Sequence, residues 1–206
     1  MSDQVTFYTH PMSRGRIVRW MLEELGQPYL TQVLDYDTTM KGAEYLAVNP
    51  MGKVPAIKHG DIVVTEAAAI CAYLADAFPQ AGLAPPLGDK ARGPYFRWMF
   101  FAAGPMESTI ANKSLGFVVP DDRRATAGWG AYEDLMTALE TAVTGREFLA
   151  GDRFTAADVY FGASLGWGIQ FAAIEARPAL ADYLARVSAR PAASRAREID
   201  DALLAG

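Results

Sequence analysis

The chain has 206 residues, a length that suits one large domain or two small domains, each with its own core. Hydrophobic residues make up 51% of the sequence and charged residues 21%, which is typical of a compact folded protein and excludes a disordered or fibrous one. The formal net charge of -5 argues against broad affinity for nucleic acids or anionic membranes. Small molecules are therefore the expected partners, with no nucleic acid and no membrane.

The cysteine content and the N-terminal residues exclude further classes of protein. Cys71 is the only cysteine, which excludes an internal disulfide, a CxxC redox pair and a cysteine-rich zinc site. The first residues, MSDQVTFYTH, lack the basic segment and apolar run of a secretory signal, and no run of about 20 apolar residues occurs. We therefore expect a cytoplasmic protein, in which any thiol chemistry uses the thiol of another molecule.

The first half of the chain alternates β-prone and helical segments. A β-prone run at residues 5–8 stops before the turn residues His10 and Pro11, and apolar residues then recur at helical spacing over residues 17–25. Residues 29–34 form a second β-prone run, and a strand-helix-strand unit of this kind usually makes its two strands parallel neighbours. The opposite face of the intervening helix carries charged residues: Arg16, Arg19, Glu23 and Glu24.

Two antiparallel strands and a further helix complete this half. Residues 54–58 and 62–64 are β-prone and are separated by His59, Gly60 and Asp61, which is typical of a hairpin turn. Helical periodicity follows until Pro79 ends it. With a variable segment over residues 40–48, the predicted order of elements is β-α-β-α-β-β-α.

A proline-rich connector precedes an entirely helical second half. Residues 81–88 combine Ala, Gly and Leu with closely spaced prolines, which resist regular structure. Beyond them, helical periodicity covers residues 92–112, 122–144, 155–166 and 178–189. We predict an α/β domain at residues 1–80, a linker at 81–88 and an all-helical domain at 89–206.

Three segments carry a resemblance to a known family: FYTHPMSRGRIVRWMLEELGQPY, NPMGKVPAI followed by VTEAAAICAYL, and FTAADVYFGASL. In their order and spacing the chain resembles a bacterial member of the cytosolic-type glutathione S-transferase family. The resemblance implies an N-terminal thioredoxin-like domain that binds glutathione, and a C-terminal helical bundle domain that completes the site for an electrophile. It also implies a homodimer with a role in detoxification.

The segment around Val54 and Pro55 is the first candidate site. From the residues alone, a proline that opens a strand indicates an edge or a bulge, where its missing N–H is not needed. The resemblance implies instead a cis bond between Val54 and Pro55, which turns the Val54 backbone towards the cysteinyl backbone of glutathione. It also implies that Lys53 meets the glycyl carboxylate, the alternative being a solvated charge at the end of a strand.

Glu66 and Ala67 form the second candidate site, immediately before the helix that ends at Pro79. An acid at a helix start is stabilised by the helix dipole without any ligand. The resemblance implies that Glu66 pairs with the γ-glutamyl ammonium, while free N–H groups at the helix start receive the γ-glutamyl carboxylate. The family commonly has Ser after the acid, so Ala67 removes one hydroxyl donor and predicts weaker glutathione binding.

The group that activates the thiol has two candidates. Ser13 precedes the first helix, where a serine can cap the helix, and the serine-type members of the family place their activating hydroxyl at this helix start. Tyr8, at the end of the first strand, is the rival, because other members use a tyrosine in that neighbourhood, although an aromatic packed against the sheet is its simpler interpretation. We favour Ser13 over Tyr8, with His10 and Arg14 as secondary candidates.

Three further features are interpreted as packing or as substrate contacts. Thr155 and Asp158 match a capping box, which serves folding, and Cys71, beside Ile70 and Leu74, is interpreted as a core residue and not as a nucleophile. An aromatic and Met-rich stretch is mostly core by default. Gly104 and Pro105 predict a kink in this helix. The resemblance implies that one or two residues of the stretch touch the electrophile. Its members are Tyr95, Phe96, Trp98, Met99, Phe100, Phe101 and Met106.

The preferred activity is transfer of the glutathione thiolate to small hydrophobic electrophiles, with glutathione as cosubstrate and no metal. A non-catalytic binding or regulatory protein of the same fold is the first alternative, because folds often outlive their activities. A glutathione-dependent peroxidase or isomerase is the second. The lack of a cysteine near the first helix disfavours disulfide reduction.

Overall fold

The computed structural model of the protein describes residues 4–205 and divides into two compact units. The first unit contains the chain up to Leu83 and again from Arg190 onward, and the second unit contains Ala84 to Ala189. The domain boundaries inferred from the sequence stay a prediction, and the compact units differ from them in one respect. The last helix groups with the first unit and not with the helical region that precedes it in the chain.

A four-stranded mixed sheet forms the centre of the first unit. Its strands are arranged in the order β2-β1-β3-β4, with β1 parallel to β2 and antiparallel to β3. The predicted strand-helix-strand unit and the hairpin are confirmed, with Gly60 in the hairpin turn at φ +59°. The strands span Val5–Thr9 (β1), Tyr29–Val33 (β2), Ala56–His59 (β3) and Ile62–Thr65 (β4).

Helices flank this sheet as the sequence pattern requires. Phe7 of β1 and the predicted apolar face of the first helix are buried, and the first helix ends at Gly26, whose left-handed φ of +64° suits only glycine at low cost. A short 3₁₀ turn at Thr39–Lys41 precedes the second helix, which is a single turn. The helices span Gly15–Leu25 (α1), Ala43–Leu46 (α2) and Ala67–Ala77 (α3). The predicted order β-α-β-α-β-β-α, that of a thioredoxin-like domain, is therefore confirmed.

The second unit is helical throughout its regular elements. The helix predicted over residues 92–112 is interrupted by a π-helical segment at Ala102–Met106, where Pro105 has no N–H to give to the ordinary helical pattern. The helix predicted from residue 122 starts later, because residues 121–126 form a 3₁₀ turn and Gly130 has a positive φ of +73°. The helices span Arg92–Phe101 (α4), Glu107–Ser114 (α5), Tyr132–Val143 (α6), Ala156–Gln170 (α7) and Pro178–Ser188 (α8).

A buried carboxylate organises the start of α7. Asp158 is fully buried, and its Oδ2 accepts a hydrogen bond from the Thr155 backbone N–H at 2.9 Å, as the capping-box pattern predicts. Its Oδ1 accepts the Leu149 N–H and the Tyr183 hydroxyl, each at 2.9 Å. Burial raises the pKa of Asp158, and these hydrogen bonds to the charged form oppose that change. One side chain thus ties α7, α8 and the loop before α7 together.

The last helix, α9 (Pro191–Ala205), packs against α1 in the first unit. The side chain of Arg19 is 1% exposed and that of Asp200 in α9 is also 1% exposed, so the charged face of α1 is covered here and Arg19 does not lie in solvent. The two helices have the same charge order, basic residues first and acidic residues last, and they run antiparallel. Ion pairs therefore match along their length: Arg16 with Asp201, Arg19 with Asp200, Glu23 with Arg195 and Glu24 with Arg190.

Arg19 has further partners beneath α9. Its Nη1 donates to the Tyr29 hydroxyl at 3.1 Å and to Thr31 Oγ1 at 2.8 Å, and its guanidinium lies 5.0 Å from the centroid of the Phe7 ring. These contacts place a positive charge in the core of the unit, between α1, α9 and the sheet.

Over residues 4–205, no helix is both long enough and apolar enough to cross a membrane.

Candidate functional site

Side chains from the preceding segment hold the loop before β3 in place. The Tyr45 hydroxyl donates to the Lys53 carbonyl at 2.6 Å, and Asn49 Nδ2 donates to the same oxygen at 2.8 Å. Lys41 Nζ donates to the Gly52 carbonyl at 2.7 Å. The bond between Val54 and Pro55 that follows is cis. The loop therefore has a fixed course where it enters the sheet.

Two of the residues that fix this loop, Tyr45 and Asn49, were not predicted from the sequence. Both are buried, with 3% and 4% exposure, and burial raises the pKa of Tyr45 to about 12, so its hydroxyl stays protonated as a donor. Asn49 Oδ1 also accepts the Met51 N–H at 3.1 Å, a turn in which the Asn side chain imitates a backbone carbonyl. The only signal in the sequence was the turn composition of NPMGK.

Lys53 and Val54 keep polar groups available at this loop. Lys53 is exposed, and its ammonium forms no hydrogen bond or ion pair with any residue that the structure describes. In the same part of the chain, the Val54 backbone makes no backbone hydrogen bond. An unpaired backbone beside a strand is a site to which an extended peptide can add.

Glu66 and Ala67 lie at the start of α3. Glu66 has φ +66° and ψ 116°, a conformation that is costly for a residue other than glycine, by about 1–3 kcal/mol, and is concentrated at functional sites. Its side chain is exposed and has no partner among residues 4–205. Ala67 begins the helix, so free N–H groups of the first turn lie directly beside a carboxylate.

The loop after β1 contains Ser13. Its hydroxyl donates to the His10 carbonyl at 2.6 Å and accepts the Gly15 N–H at 2.9 Å, and the residue is 7% exposed. Ser13 therefore caps the first residue of α1, and its one O–H is engaged within the loop. Tyr8 packs its half-buried ring against Tyr45, with 5.5 Å between the ring centroids.

The segments that contain Ser13, Val54 and Glu66 lie at the same end of the sheet. Ala56 pairs with Tyr8 on one side and with Thr65 on the other. The chain leaves β1 just after Tyr8, enters β3 just before Ala56 and leaves β4 just after Thr65. The loop that contains Ser13, the cis bond at Val54 and the strained residue Glu66 therefore follow one another along the same end of the sheet.

Two groups of residues were interpreted from the sequence as core. Cys71 is fully buried, and burial raises the pKa of its thiol, so its interpretation as a core residue is confirmed. Within residues 4–205 no group of three or more His, Cys, Asp or Glu side chains is arranged to hold a metal ion.

In the aromatic stretch the core interpretation is confirmed for Tyr95, Trp98, Met99 and Met106. Substrate contacts by the other members of the stretch stay a prediction.

A four-stranded sheet with the strand order of a thioredoxin-like domain, followed in the chain by a helical unit, defines the class of protein. Comparison with known proteins identifies its family. The family model described as glutathione S-transferase, N-terminal domain, matches residues 12–77, and the model for the C-terminal domain matches residues 118–191. Glutathione S-transferase GST-4.5 of Xanthomonas campestris pv. campestris is 32% identical over 158 residues, which cover 73% of this chain and 74% of that protein.

Solved structures agree with this match. A glutathione transferase from Methylococcus capsulatus is 30% identical with a TM-score of 0.79, over 96% of this chain and 99% of that one. A sphingomonad glutathione S-transferase in complex with glutathione is 29% identical with a TM-score of 0.77, over 95% of this chain and 98% of that one. This chain belongs to the glutathione S-transferase family.

Proposed function

We propose that this protein is a glutathione transferase that joins the glutathione thiolate to small hydrophobic electrophiles. The observation that carries the proposal is the convergence, at one end of the sheet, of an unpaired backbone at Val54, a strained acid at a helix start and a hydroxyl-bearing loop. Membership of the glutathione S-transferase family identifies glutathione as the cosubstrate. The glycyl, cysteinyl and γ-glutamyl parts of this tripeptide match the three segments that meet at this end of the sheet.

Each part of glutathione has a complementary partner in this arrangement. The backbone of Val54, which makes no backbone hydrogen bond within the described part of the chain, pairs with the cysteinyl backbone as an added strand would. The Lys53 ammonium faces the glycyl carboxylate. Glu66 takes the γ-glutamyl ammonium, while the N–H groups at the start of α3, from Ala67 onward, take the γ-glutamyl carboxylate. The exposed, unpaired side chains of Lys53 and Glu66 support these assignments.

The reaction requires glutathione as its thiolate. A free thiol with a pKa of about 8.5 is only a few per cent ionised at neutral pH, and lowering that pKa by two units requires about 2.7 kcal/mol. A charge-assisted hydrogen bond contributes about 1.5–3 kcal/mol of this, and the positive end of α1 adds to it. The thiolate then attacks the electrophilic carbon, and the leaving group departs with its electron pair.

Ser13 and Tyr8 are the two hydroxyl-bearing candidates for the thiol-activating group. Ser13 lies at the start of α1, where the helix dipole favours a negative sulfur, but its O–H already donates to the His10 carbonyl. To reach the sulfur the hydroxyl must leave that bond. Tyr8 is half-buried against Tyr45, and the order of preference between the two stays a prediction.

A glutathione-binding protein without turnover is the second candidate. Ala67 favours it, because this residue leaves the γ-glutamyl carboxylate with backbone donors alone. Peroxidase and isomerase chemistry are variants of the same site. We further propose a cytoplasmic homodimer with a role in detoxification, on the strength of family membership, and the test is the molar mass in solution.

Calorimetry with glutathione and turnover of an aryl halide test the proposed function together. We expect saturable glutathione binding, and conjugation that depends on the protein concentration and follows the thiolate fraction. Binding without conjugation of aryl halides, epoxides or peroxides would assign the chain to the non-catalytic class. Absence of binding would overturn the proposal.

Glu66→Ala should weaken glutathione binding by about 2 kcal/mol, or roughly 30-fold in Kd, because a charge-assisted contact with the γ-glutamyl ammonium is lost. The measurement is titration calorimetry at low ionic strength. Asp61→Ala is the matched control, since it removes an exposed acid from the neighbouring hairpin turn and should leave the affinity unchanged. Equal affinity of the Glu66 variant and the wild type would remove Glu66 from the site.

A further inference from the structure

The His10 side chain has a defined tautomer. Its Nδ1 lies 3.1 Å from the Met12 backbone nitrogen, in a hydrogen bond where the backbone N–H is the donor. Because a backbone N–H can only donate, Nδ1 is the acceptor and carries no proton. The neutral imidazole therefore has its single proton on Nε2, and this nitrogen is a donor.

The ring is also fixed in orientation by the loop around it. The His10 carbonyl accepts both the Ser13 hydroxyl at 2.6 Å and the Ser13 N–H at 3.0 Å, which folds the loop back onto His10. The Tyr36 ring lies against the imidazole with 4.4 Å between centroids, and its hydroxyl donates to the Met12 carbonyl at 2.9 Å. Ser13 thus holds the His10 backbone, while Tyr36 packs against the imidazole.

The free nitrogen of this ring belongs to a residue at the end of the sheet that carries the proposed glutathione site. His10 directly follows β1, and Val54 lies two residues before β3, at the end of the sheet where Tyr8 pairs with Ala56. His10 is half-buried, and its Nε2 forms no hydrogen bond with any residue in the described part of the chain. An oriented donor with no protein partner therefore lies at the same end of the sheet as the residue proposed to bind the cysteinyl backbone.

We propose that His10 Nε2–H, and not the Ser13 hydroxyl, donates the hydrogen bond that stabilises the glutathione thiolate. The inference rests on the proposed function, since it assigns a role within that glutathione site. The thiol proton passes to solvent. The imidazole keeps its proton on Nε2 throughout, and this N–H donates a hydrogen bond to the sulfur without transferring the proton. When the sulfur forms its bond to the electrophile, this hydrogen bond weakens and the ring returns to its starting state. Ser13 acts by positioning His10.

Two substitutions separate the two nitrogens of the ring. His10→Asn puts an amide oxygen near the position of Nδ1, which keeps the acceptor for the Met12 N–H but removes the donor at Nε2. His10→Gln puts an amide N–H₂ near Nε2 but loses the acceptor. The thiolate absorbance of bound glutathione, titrated against pH, reports the pKa of the bound thiol in each variant.

We expect His10→Asn to raise the pKa of bound glutathione by about one to two units, which lowers the thiolate fraction at pH 7 from about three-quarters to about one-quarter or less. His10→Gln should recover part of this loss. Glutathione Kd at pH 7 should rise only about three- to four-fold in His10→Asn, because the proton linkage between binding and ionisation accounts for the whole change. Thermal unfolding of both variants confirms that the loop substitutions leave the protein folded.

Ser13→Ala and Tyr8→Phe complete the test. If Ser13 acts through His10, its alanine variant should lose about 1 kcal/mol of stability, a typical value for a helix cap. It should raise the pKa of the bound thiol, but by less than His10→Asn does, because the Met12 N–H still orients the ring. The His10 assignment is wrong if His10→Asn keeps the wild-type thiol pKa, or if Ser13→Ala or Tyr8→Phe raises that pKa more than His10→Asn does. Failure of the wild type to bind glutathione would instead overturn the proposed function as a whole, and with it this inference.

Discussion

Asp200→Ala should lower the free energy of unfolding by about 3–4 kcal/mol, because it leaves the Arg19 guanidinium buried without its counter-charge. Arg19 is 1% exposed and its Nε lies 3.1 Å from Asp200 Oδ1. The Arg19 bonds to Tyr29 and Thr31 are retained, which keeps the loss below that of a fully isolated charge. Urea unfolding at neutral pH measures the change.

The neighbouring residue supplies the matched control. Asp201 pairs with Arg16 on the same two helices, but its side chain is 64% exposed, so Asp201→Ala should cost less than about 1 kcal/mol. If the two alanine variants lose similar amounts of free energy of unfolding, burial of the Arg19–Asp200 pair does not increase the cost of breaking it.

A double substitution tests whether the buried pair itself stabilises the protein. Burial raises the pKa of Asp200 even though Arg19 lowers it, so desolvation outweighs the attraction. A folded pKa above the unfolded value means that the contribution of Asp200 to stability is greatest below about pH 3.9 and is lost as the pH rises through the folded pKa. We therefore expect the variant Arg19→Met with Asp200→Leu to be as stable at neutral pH as the wild type, or more stable.

Asp158→Ala is the second substitution with a large expected effect, a loss of about 4 kcal/mol in the free energy of unfolding. It leaves the buried N–H groups of Leu149 and Thr155, and the Tyr183 hydroxyl, without their acceptor, and each unpaired buried group costs about 1–3 kcal/mol. Asp158→Asn should also be strongly destabilising, since its amide N–H₂ would face one of these donors. Thermal and urea unfolding measure both variants.

Asp134 provides the comparison for Asp158. Its Oδ2 accepts the Ala131 N–H at 3.0 Å at the start of α6, the same capping bond that Asp158 makes for α7, but Asp134 is exposed. Asp134→Ala should therefore cost only about 1 kcal/mol. If the two variants lose equal stability, capping alone accounts for Asp158, and its bonds to Leu149 and Tyr183 contribute nothing.

Local patterns were sufficient to predict most of the fold. The helical spacing over residues 17–25, the turn at Gly60 and the spacing of Thr155 and Asp158 each depend on neighbours within a few residues in the chain, and the structure agrees with each of them. The cis bond at Val54 and Pro55 was expected only from the family resemblance, and it is present.

Contacts between distant residues were not predictable in the same way. Periodicity placed Arg19 on a polar helix face, and only the return of the chain 181 residues later, at Asp200, buries it. The donor at His10 depends on a backbone N–H two residues away that points back at the ring, a geometry that the residue types do not specify. Tyr45 and Asn49 both donate hydrogen bonds to the Lys53 carbonyl, and the spacing of these residues in the sequence does not predict those bonds.

The first unit is discontinuous in the chain, and this affects the order in which it is completed during synthesis. Residues 84–189 separate its two parts, and ribosomes add about 5–20 residues per second. During synthesis, the face of α1 that carries Arg19 therefore stays in water for several seconds after the sheet strands have been made. Arg19 loses its contact with water only after α9 has been synthesised and has packed against α1.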